Sequence, residues 1–374
     1  MKDNDDKKNQ ISQVKDDLEL LELMIKDSQS ADKMYTASNF WLFYENQIID
    51  ELRTNDLKDF RRRKNSALAN FGAIDSHHIY SDNYDNSIKG LYLKFARFNF
   101  KTIAKIRTIQ KVGIRNFFSK KSNYINSYLY DLAKSYGKKC GAKPIENFQA
   151  DLVGNPDIFT MNKKFYTANL LYYYVMYSYC CKFIDFDKIN SIMEIGSGSG
   201  KQIEVIKKLH PHITFYVLDL NPQLYVCEQY LSSVFPNSVV SYKETRDMTR
   251  IPDDKKGKIF ILGNWKISTL ENLECDGFWN SASLQEMEPD IVANYLKYVN
   301  RCTTKFVFLH ETMGGQTLAK ENGKLGVMKK TTLEDYKQSL NNFILHDLSI
   351  ANHLPTLSRF TQYRFSLWKK NLEI

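Results

Sequence analysis

A glycine-rich turn follows an apolar run near the middle of the chain, in the stretch SIMEIGSGSGKQ from Ser191 to Gln202. Gly196, Gly198 and Gly200 stand at alternate positions in it, and a helix-forming sequence comes next. Glycines lack a Cβ, so the backbone can approach a ligand closely. A strand, a glycine turn and a helix at the start of an α/β sheet form a nucleotide crevice. The stretch therefore predicts a nucleotide site.

The spacing of these glycines differs from the dinucleotide fingerprint. That fingerprint is GxGxxG, but its third position here is Lys201, and the third glycine comes one residue earlier. Glu194 precedes the first glycine by two residues, and a carboxylate there repels a pyrophosphate. A ligand with a cationic end and no phosphates suits this loop better, and S-adenosylmethionine is such a ligand.

A second acid supports the same cofactor. Asp219 ends the next apolar run, and acids at this place accept hydrogen bonds from ribose hydroxyls. Two alternatives stay open: Glu194 holds loop amides, and Asp219 caps the following helix. The cofactor contacts predicted in this part of the chain are Glu194, Gly196, Ser197, Gly198, Gly200, Asp219 and Leu220.

The elements that position these residues alternate between strands and helices after about residue 150. Strands are predicted at 191–195, 213–219, 258–262, 277–280 and 305–310, and helices at 201–209, 222–235 and 289–301. Two final antiparallel strands are predicted at 343–349 and 362–368. This order predicts an α/β fold with a Rossmann-like, doubly wound sheet and helices on both faces. We divide the chain into a mainly helical region, 1–150, with 1–10 disordered, and the nucleotide-binding domain, 151–374.

Several longer motifs resemble a known family. They are EIGSGSG, LDLNPQL, EQYLSSVFP, YKETRDM, ILGNW and NSASLQEMEPDIVANYL. Together they resemble the bacterial sugar O-methyltransferases, a class I S-adenosylmethionine-dependent family, over about residues 150–370, with a weaker likeness at SNFW and LKDFRRRKN. The glycine loop is common to class I methyltransferases, whereas SLQEM is more particular to the sugar family. The resemblance implies methylation of a sugar hydroxyl, in a bacterial surface glycan or its precursor.

Methyl transfer to a hydroxyl needs an aligned acceptor oxygen and a base for its proton. Candidate bases lie where the fourth and fifth sheet strands end. Glu286, in SLQEM, follows the fourth strand, and His310 ends the fifth beside Glu311. Family likeness favours Glu286, and the titration of histidine near neutrality favours His310. The alternatives are an acid facing a helix N-terminus and a histidine bonded to backbone.

Further cofactor contacts follow from the fold and the resemblance. Asn264 and Trp265 follow the third strand, where class I enzymes hold adenine, and Trp265 either stacks on the base or packs between domains. Asn280 and Ser281 end the fourth strand, near the methionyl part of the cofactor. We see no paired acids at the fourth and fifth strand ends and no Cys/His spacing typical of zinc, so no metal is predicted.

The N-terminal region contains an amphipathic pattern and a basic segment. Apolar residues at 11, 14, 18, 21 and 25 predict a helix that either packs on its own domain or forms a short homodimer seam. Ser38, in SNFW, is a plausible N-cap of a second helix. Residues 89–121 contain many Lys and Arg and no acid, which indicates a solvated face or a surface for an anionic lipid or polyanion. Nucleic-acid binding is not expected, because no recognised nucleic-acid-binding motif accompanies these basic residues.

The composition is that of a globular chain. Of 374 residues, 43% are hydrophobic and 25% charged, and the formal net charge is +9. The start, MKDNDDKKNQ, lacks the apolar core of a signal peptide, and the six cysteines form no CxxC pair, so we expect the cytoplasm, with peripheral contact to the inner membrane. The uncharged stretch 165–181 contains six tyrosines, whose hydroxyls need partners, so a buried helix is predicted there and no membrane span.

Two other functions stay open from the sequence. One is a methyltransferase that acts on a small molecule or a lipid. The other is a non-catalytic scaffold with a methyltransferase fold, which assembles glycan-synthesis enzymes through its helical N-terminal region. The intact glycine loop with Glu194 and Asp219 argues against the scaffold.

We predict that the basic segment brings an anionic, lipid-linked glycan acceptor to the protein. Changing Lys94, Arg97, Lys101 and Lys105 to Glu should reduce binding to anionic vesicles in a salt-sensitive way, because each cation near such a surface contributes about 1 kcal/mol. Co-sedimentation with vesicles measures this. If the unmodified protein does not bind the vesicles, the segment is a solvated face.

Overall fold

The computed structural model describes residues 14–63, 65–75, 111–351 and 362–371, with the backbone alone for residues 111–125. The predictions for residues 1–10, for Ile11 and for the basic segment before residue 111 therefore lie outside the described residues.

Helices dominate the N-terminal part and alternate with strands after it. In chain order they are α1 (Leu18–Ser28), α2 (Asn39–Thr54), α3 (Lys111–Cys140), α4 (Ala168–Cys181), α5 (Lys201–Leu209), α6 (Asn221–Val234), α7 (Tyr242–Thr245), α8 (Lys266–Thr269), α9 (Pro289–Cys302) and α10 (Leu333–Ser339). The three helices predicted after residue 200 are α5, α6 and α9, and their ends differ from the prediction by at most one residue. The predicted helical N-terminal region is confirmed by α1, α2 and α3.

The strands form one large sheet and a small hairpin. They are β1 (Phe159–Met161), β2 (Lys164–Tyr166), β3 (Ser191–Ile195), β4 (Thr214–Asp219), β5 (Val239–Val240), β6 (Ile259–Gly263), β7 (Cys275–Ser281), β8 (Thr303–Thr312), β9 (Phe343–Ile350) and β10 (Tyr363–Lys370). β1 pairs with β2, and the others have the order β5-β6-β4-β3-β7-β8-β10-β9. Neighbours are parallel from β5 to β8, and β10 is antiparallel to β8 and β9. The predicted Rossmann-like, doubly wound sheet is confirmed.

Both faces of the sheet are covered because alternate side chains of a strand point to opposite sides. Ile192 and Phe215 pack in the core that contains α4, α5 and α6. Met193 and Tyr216 pack in the core that contains α9. Parallel strands buried on both faces are continuous apolar runs in the sequence, which explains why these strands were predictable.

The amphipathic helix α1 packs on its own chain. Asp17 caps it by accepting a hydrogen bond from the Leu20 backbone amide at 3.2 Å, and Leu20, Leu21 and Met24 are buried. Asp27 forms an ion pair with Arg246, after α7, at 2.8 Å. This packing accounts for the apolar side of α1 without a second chain, and the homodimer stays a prediction.

The tyrosine-rich stretch forms the end of β2 and the buried helix α4, as predicted. Five of its hydroxyls have partners. Tyr166, Tyr174 and Tyr179 donate to the Ile145 carbonyl, the Lys143 carbonyl and the Asp347 carboxylate, and Tyr172 and Tyr177 bond the rings of His310 and His210. Among the described residues, no helix has both the length and the apolar character needed to cross a bilayer.

A buried ion cluster joins the N-terminal region to the helix after the glycine turn. The Asp75 carboxylate lies 2.6 Å from Arg61 Nε and 3.2 Å from Lys201 Nζ, and all three side chains are buried. Lys201 Nζ also donates to the carbonyls of Gly72 at 2.8 Å and Ala73 at 3.0 Å. Burial lowers the pKa of Lys201 to about 8, and the Asp75 carboxylate opposes this. The cluster fixes residues 72–75 against the start of α5.

We predict that Asp75→Ala strongly destabilises the fold. Removing one partner of a buried ion pair leaves uncompensated buried cations, which costs about 3–5 kcal/mol. Urea unfolding at neutral pH measures the loss. The control is Glu22→Ala, which removes the exposed pair with Arg53 and should cost no more than about 1 kcal/mol. Equal losses in the two variants would contradict the role given to the cluster.

Candidate active site

The glycine turn connects β3 to α5 with little space around its backbone. Gly196 and Gly198 adopt positive φ angles of 72° and 56°. A Cβ on Gly196 would collide with the Ser283 hydroxyl, and one on Gly198 would lie 2.8 Å from the Phe71 carbonyl oxygen. Glycine is therefore required at both positions for conformation and for space.

The carboxylate of Asp219 bonds the glycine turn in this structure. It accepts hydrogen bonds from the backbone amides of Gly198 and Leu220, both at 2.8 Å, and from the Ser197 hydroxyl at 3.3 Å. Burial raises the pKa of Asp219 to about 7, and these donors oppose the rise. Burial, with the nearby Asp219 charge, also raises the pKa of Glu194 well above its ordinary value.

One cavity of about 990 Å³ lies at the carboxyl ends of the parallel strands. It brings together eight of the residues predicted from the sequence: Gly196, Gly198, Asp219, Leu220, Asn264, Ser281, Glu286 and His310. The other predicted residues do not line it; they are Glu194, Ser197, Gly200, Trp265 and Asn280. Whether those five residues contact a cofactor stays a prediction.

Two of the residues outside the lining, Trp265 and Asn280, have contacts within the fold. Trp265 is partly buried; it lies against Gly263 and meets Tyr242 edge to face, both within residues 151–374, and its stacking on adenine stays a prediction. Asn280 donates to the Ile195 carbonyl and to the Ser283 hydroxyl, both at 2.7 Å. These bonds tie the end of β7 to the end of β3.

Several buried polar atoms of the cavity wall have no hydrogen-bond partner among the described residues. The Asn264 amide nitrogen donates to the Tyr35 carbonyl and the Tyr295 hydroxyl, but its Oδ1 is unpartnered, as are Gln223 Oε1 and Thr312 Oγ1. Buried polar atoms normally have a partner. A polar ligand with hydrogen-bond donors would satisfy them.

Glu286 lies on a short turn, Leu284–Glu286, that its neighbours fix. The Glu311 carboxylate accepts from the Ser283 amide at 3.3 Å and from the Gln285 amide at 3.2 Å. The Gln285 side chain accepts from the Thr312 amide and donates to the Tyr363 hydroxyl, both at 2.6 Å. An acid pair is thus present at these strand ends, but Glu311 bonds backbone amides. Within the described chain no cluster of three or more His, Cys, Asp or Glu is arranged to hold a metal ion.

The Glu286 side chain is buried beside the N-terminal region. Burial and the Glu311 charge raise the pKa of Glu286 well above its ordinary value, and a hydrogen bond from the Trp41 indole opposes the rise. Ser38 occupies the predicted N-cap position of α2 but makes no side-chain cap there. Its hydroxyl donates instead to the Glu286 carbonyl at 2.7 Å.

His310 is bonded by hydroxyls at both ring nitrogens. Its Nδ1 shares a hydrogen bond with Ser281 and its Nε2 with Tyr172, both at 2.9 Å. The ring stacks on Tyr363 with centroids 4.7 Å apart. Burial lowers the pKa of His310 to about 3, so the ring does not have the near-neutral pKa on which its candidacy as a base depended.

The N-terminal region contributes one wall of the cavity, which was not predicted from the sequence. Trp41, Tyr44, Phe71 and Gly72 line the same cavity as the glycine turn. The weak likeness at SNFW was the available signal, because it contains Trp41. No local pattern in the sequence indicated that residues 66–75 would pack against the glycine turn.

No protein-family model matches the chain, and no curated protein matches it. Similar solved structures include the mitomycin 7-O-methyltransferase MmcR, at 12% identity over 55% of this chain and 57% of that one, with a TM-score of 0.35. The pyocyanin biosynthetic protein PhzM matches at 14% identity over 55% and 58%, with the same TM-score. The chain thus spans a little over half the length of these two. At such identities and scores the likenesses bear on neither the ligand nor the reaction of this chain.

We predict that the His310 ring stays neutral across the physiological range. Since burial lowers its pKa, its imidazole ¹⁵N shifts should not titrate between about pH 5 and about pH 8. NMR with ¹⁵N-histidine labelling measures this, and His310→Gln identifies the resonances. Titration near the ordinary histidine pKa of about 6.5 would contradict the buried, doubly bonded ring.

Proposed function

We propose that this protein is an S-adenosylmethionine-dependent O-methyltransferase that methylates a sugar hydroxyl. The observation that supports it most is the single cavity in which the glycine turn, Asp219 and Glu286 meet. Ligands of doubly wound sheets bind at this edge. A volume of about 990 Å³ is at the upper end of ordinary ligand pockets, which suits a cofactor together with an acceptor.

The residues present fit this cofactor. Asp219 would accept the ribose hydroxyls, and the unpartnered Asn264 Oδ1 would accept from the adenine amino group. The backbone of Gly196 and Gly198 allows close approach. Buried carboxyls in the wall favour a cationic ligand over a pyrophosphate. When bound, the cofactor supplies an electrophilic methyl group.

Glu286 is the better of the two candidate bases. Its raised pKa brings a carboxylate toward the range that suits general-base catalysis at neutral pH, whereas His310, with a pKa of about 3, is too weak a base. The turn fixed by Glu311 and Gln285 positions the Glu286 carboxyl. His310 instead orients the Ser281 and Tyr172 hydroxyls, which face the same cavity.

A sugar acceptor agrees with the rest of the wall. Trp41, Tyr44, Tyr172 and Tyr363 give it aromatic surface, on which the apolar face of a sugar ring can pack. Gln285, Thr312 and Gln316 add polar groups for hydroxyls. The SLQEM motif supports the same substrate class through its resemblance. We place the acceptor in a surface glycan or its precursor, lipid-linked and anionic, which the basic segment 89–121 meets at the inner membrane surface.

We predict that Glu286→Gln lowers turnover about 10²- to 10⁴-fold while S-adenosylmethionine still binds, because the nucleoside contacts lie at Asp219 and Asn264. Transfer of a labelled methyl group to nucleotide sugars and glycan extracts measures turnover, and calorimetry measures binding. The control is Glu228→Gln: Glu228 is also buried, accepts the Tyr242 amide at 3.0 Å and lies outside the cavity lining.

Three results would overturn parts of the proposal. Tight binding of NAD in place of S-adenosylmethionine would contradict the proposed cofactor. Normal turnover in Glu286→Gln would remove this base. Methylation of lipids or other small molecules, with no methylation of any sugar, would support a methyltransferase but contradict the proposed sugar substrate.

A further inference from the structure

Glu286 faces the cavity without a cation partner. Within the described part of the chain, no Lys or Arg forms an ion pair with it, and Lys330, which also lines the cavity, is exposed. The titratable or polar groups that act on Glu286 come from several elements and are acidic or neutral: Glu311 of β8, Asp219 of β4, Trp41 and Tyr44 of α2, and Tyr336 of α10.

As a consequence, the Glu286 carboxyl keeps its proton at pH values at which a glutamic acid is ordinarily ionised. Desolvation disfavours the charged form, and the neighbouring acids add repulsion. Burial and Glu311 accordingly raise the pKa of Glu286. A cation placed in the cavity would reverse this balance, because an opposite charge nearby favours the ionised carboxylate.

We propose that Glu286, buried in the cavity wall with no cation of the described residues beside it, is the counter-charge for the sulfonium of S-adenosylmethionine, so that binding this cofactor releases a proton that S-adenosylhomocysteine does not release. This inference rests on the proposed function. The two ligands share the nucleoside and the amino acid part and differ in the methyl group and the charge at sulfur.

The same arrangement keeps the net charge of the cavity constant during methyl transfer. Before the reaction, the Glu286 carboxylate faces a sulfonium. In the reaction the acceptor oxygen bonds to the methyl carbon, the electron pair of the sulfur–carbon bond stays on sulfur, and the hydroxyl proton moves to Glu286. Both charges disappear together, so no unpaired charge remains in a desolvated site, where it would be costly.

The test compares the two ligands in binding alone. Dissociation constants are measured by calorimetry between about pH 5.5 and about pH 8.5, in buffers of different ionisation enthalpy, for the unmodified protein, Glu286→Gln and Glu228→Gln. Ribose contacts at Asp219 are common to both ligands, so the ratio of the two constants isolates the effect of the sulfonium. Gln has the shape of a neutral carboxyl, so the Glu286→Gln fold should be preserved.

We expect the preference for S-adenosylmethionine to rise on the order of tenfold with pH, with proton release, in the unmodified protein and in Glu228→Gln. In Glu286→Gln the ratio should not depend on pH. Equal pH dependence of both ligands, or a ratio that still varies in Glu286→Gln, would overturn this inference and leave the proposed function intact. If neither ligand binds, the proposed function falls, and the inference with it.

Discussion

Two buried carboxyls in the wall of one cavity, Asp219 and Glu286, have no cation partner among the described residues. Burying such groups is unfavourable unless donors or an opposite charge compensate. Asp219 has backbone amides of the glycine turn and a serine hydroxyl. Glu286 has the Trp41 indole. The geometry of the turn, the pKa values of both acids and the kind of ligand that fits all depend on this constraint.

The N-terminal region is part of this site. Helix α2 supplies Trp41 and places Ser38 on the Glu286 carbonyl, and the Phe71 carbonyl lies against Gly198. The buried cluster of Arg61, Asp75 and Lys201 anchors the segment that carries Phe71. Lys201 is also the residue that breaks the dinucleotide fingerprint, and here it forms a structural contact. Stability of the N-terminal region and occupancy of the cavity should therefore be linked.

The sheet was predictable because its central strands are short apolar runs closed by glycine, asparagine or acidic residues, and burial on both faces leaves little ambiguity. Asp219, Glu286 and His310 were predictable as a group because carboxyl ends of parallel strands meet at one edge. The surroundings of Trp265 and His310 were not. Both depend on contacts with distant residues, Tyr242 in one case and Ser281 and Tyr172 in the other. The wall of the cavity that residues between Thr36 and Ile74 form was not predictable either, because it depends on packing between residues far apart in the sequence.

A crystal structure of the protein grown with S-adenosylhomocysteine is the sharpest test of the proposed cofactor site. We expect the ribose at Asp219, the adenine beside Asn264 and the sulfur on the side of the cavity that carries Ser281 and Glu286. A nucleoside bound outside this cavity, or oriented with its adenine toward Glu286, would contradict it.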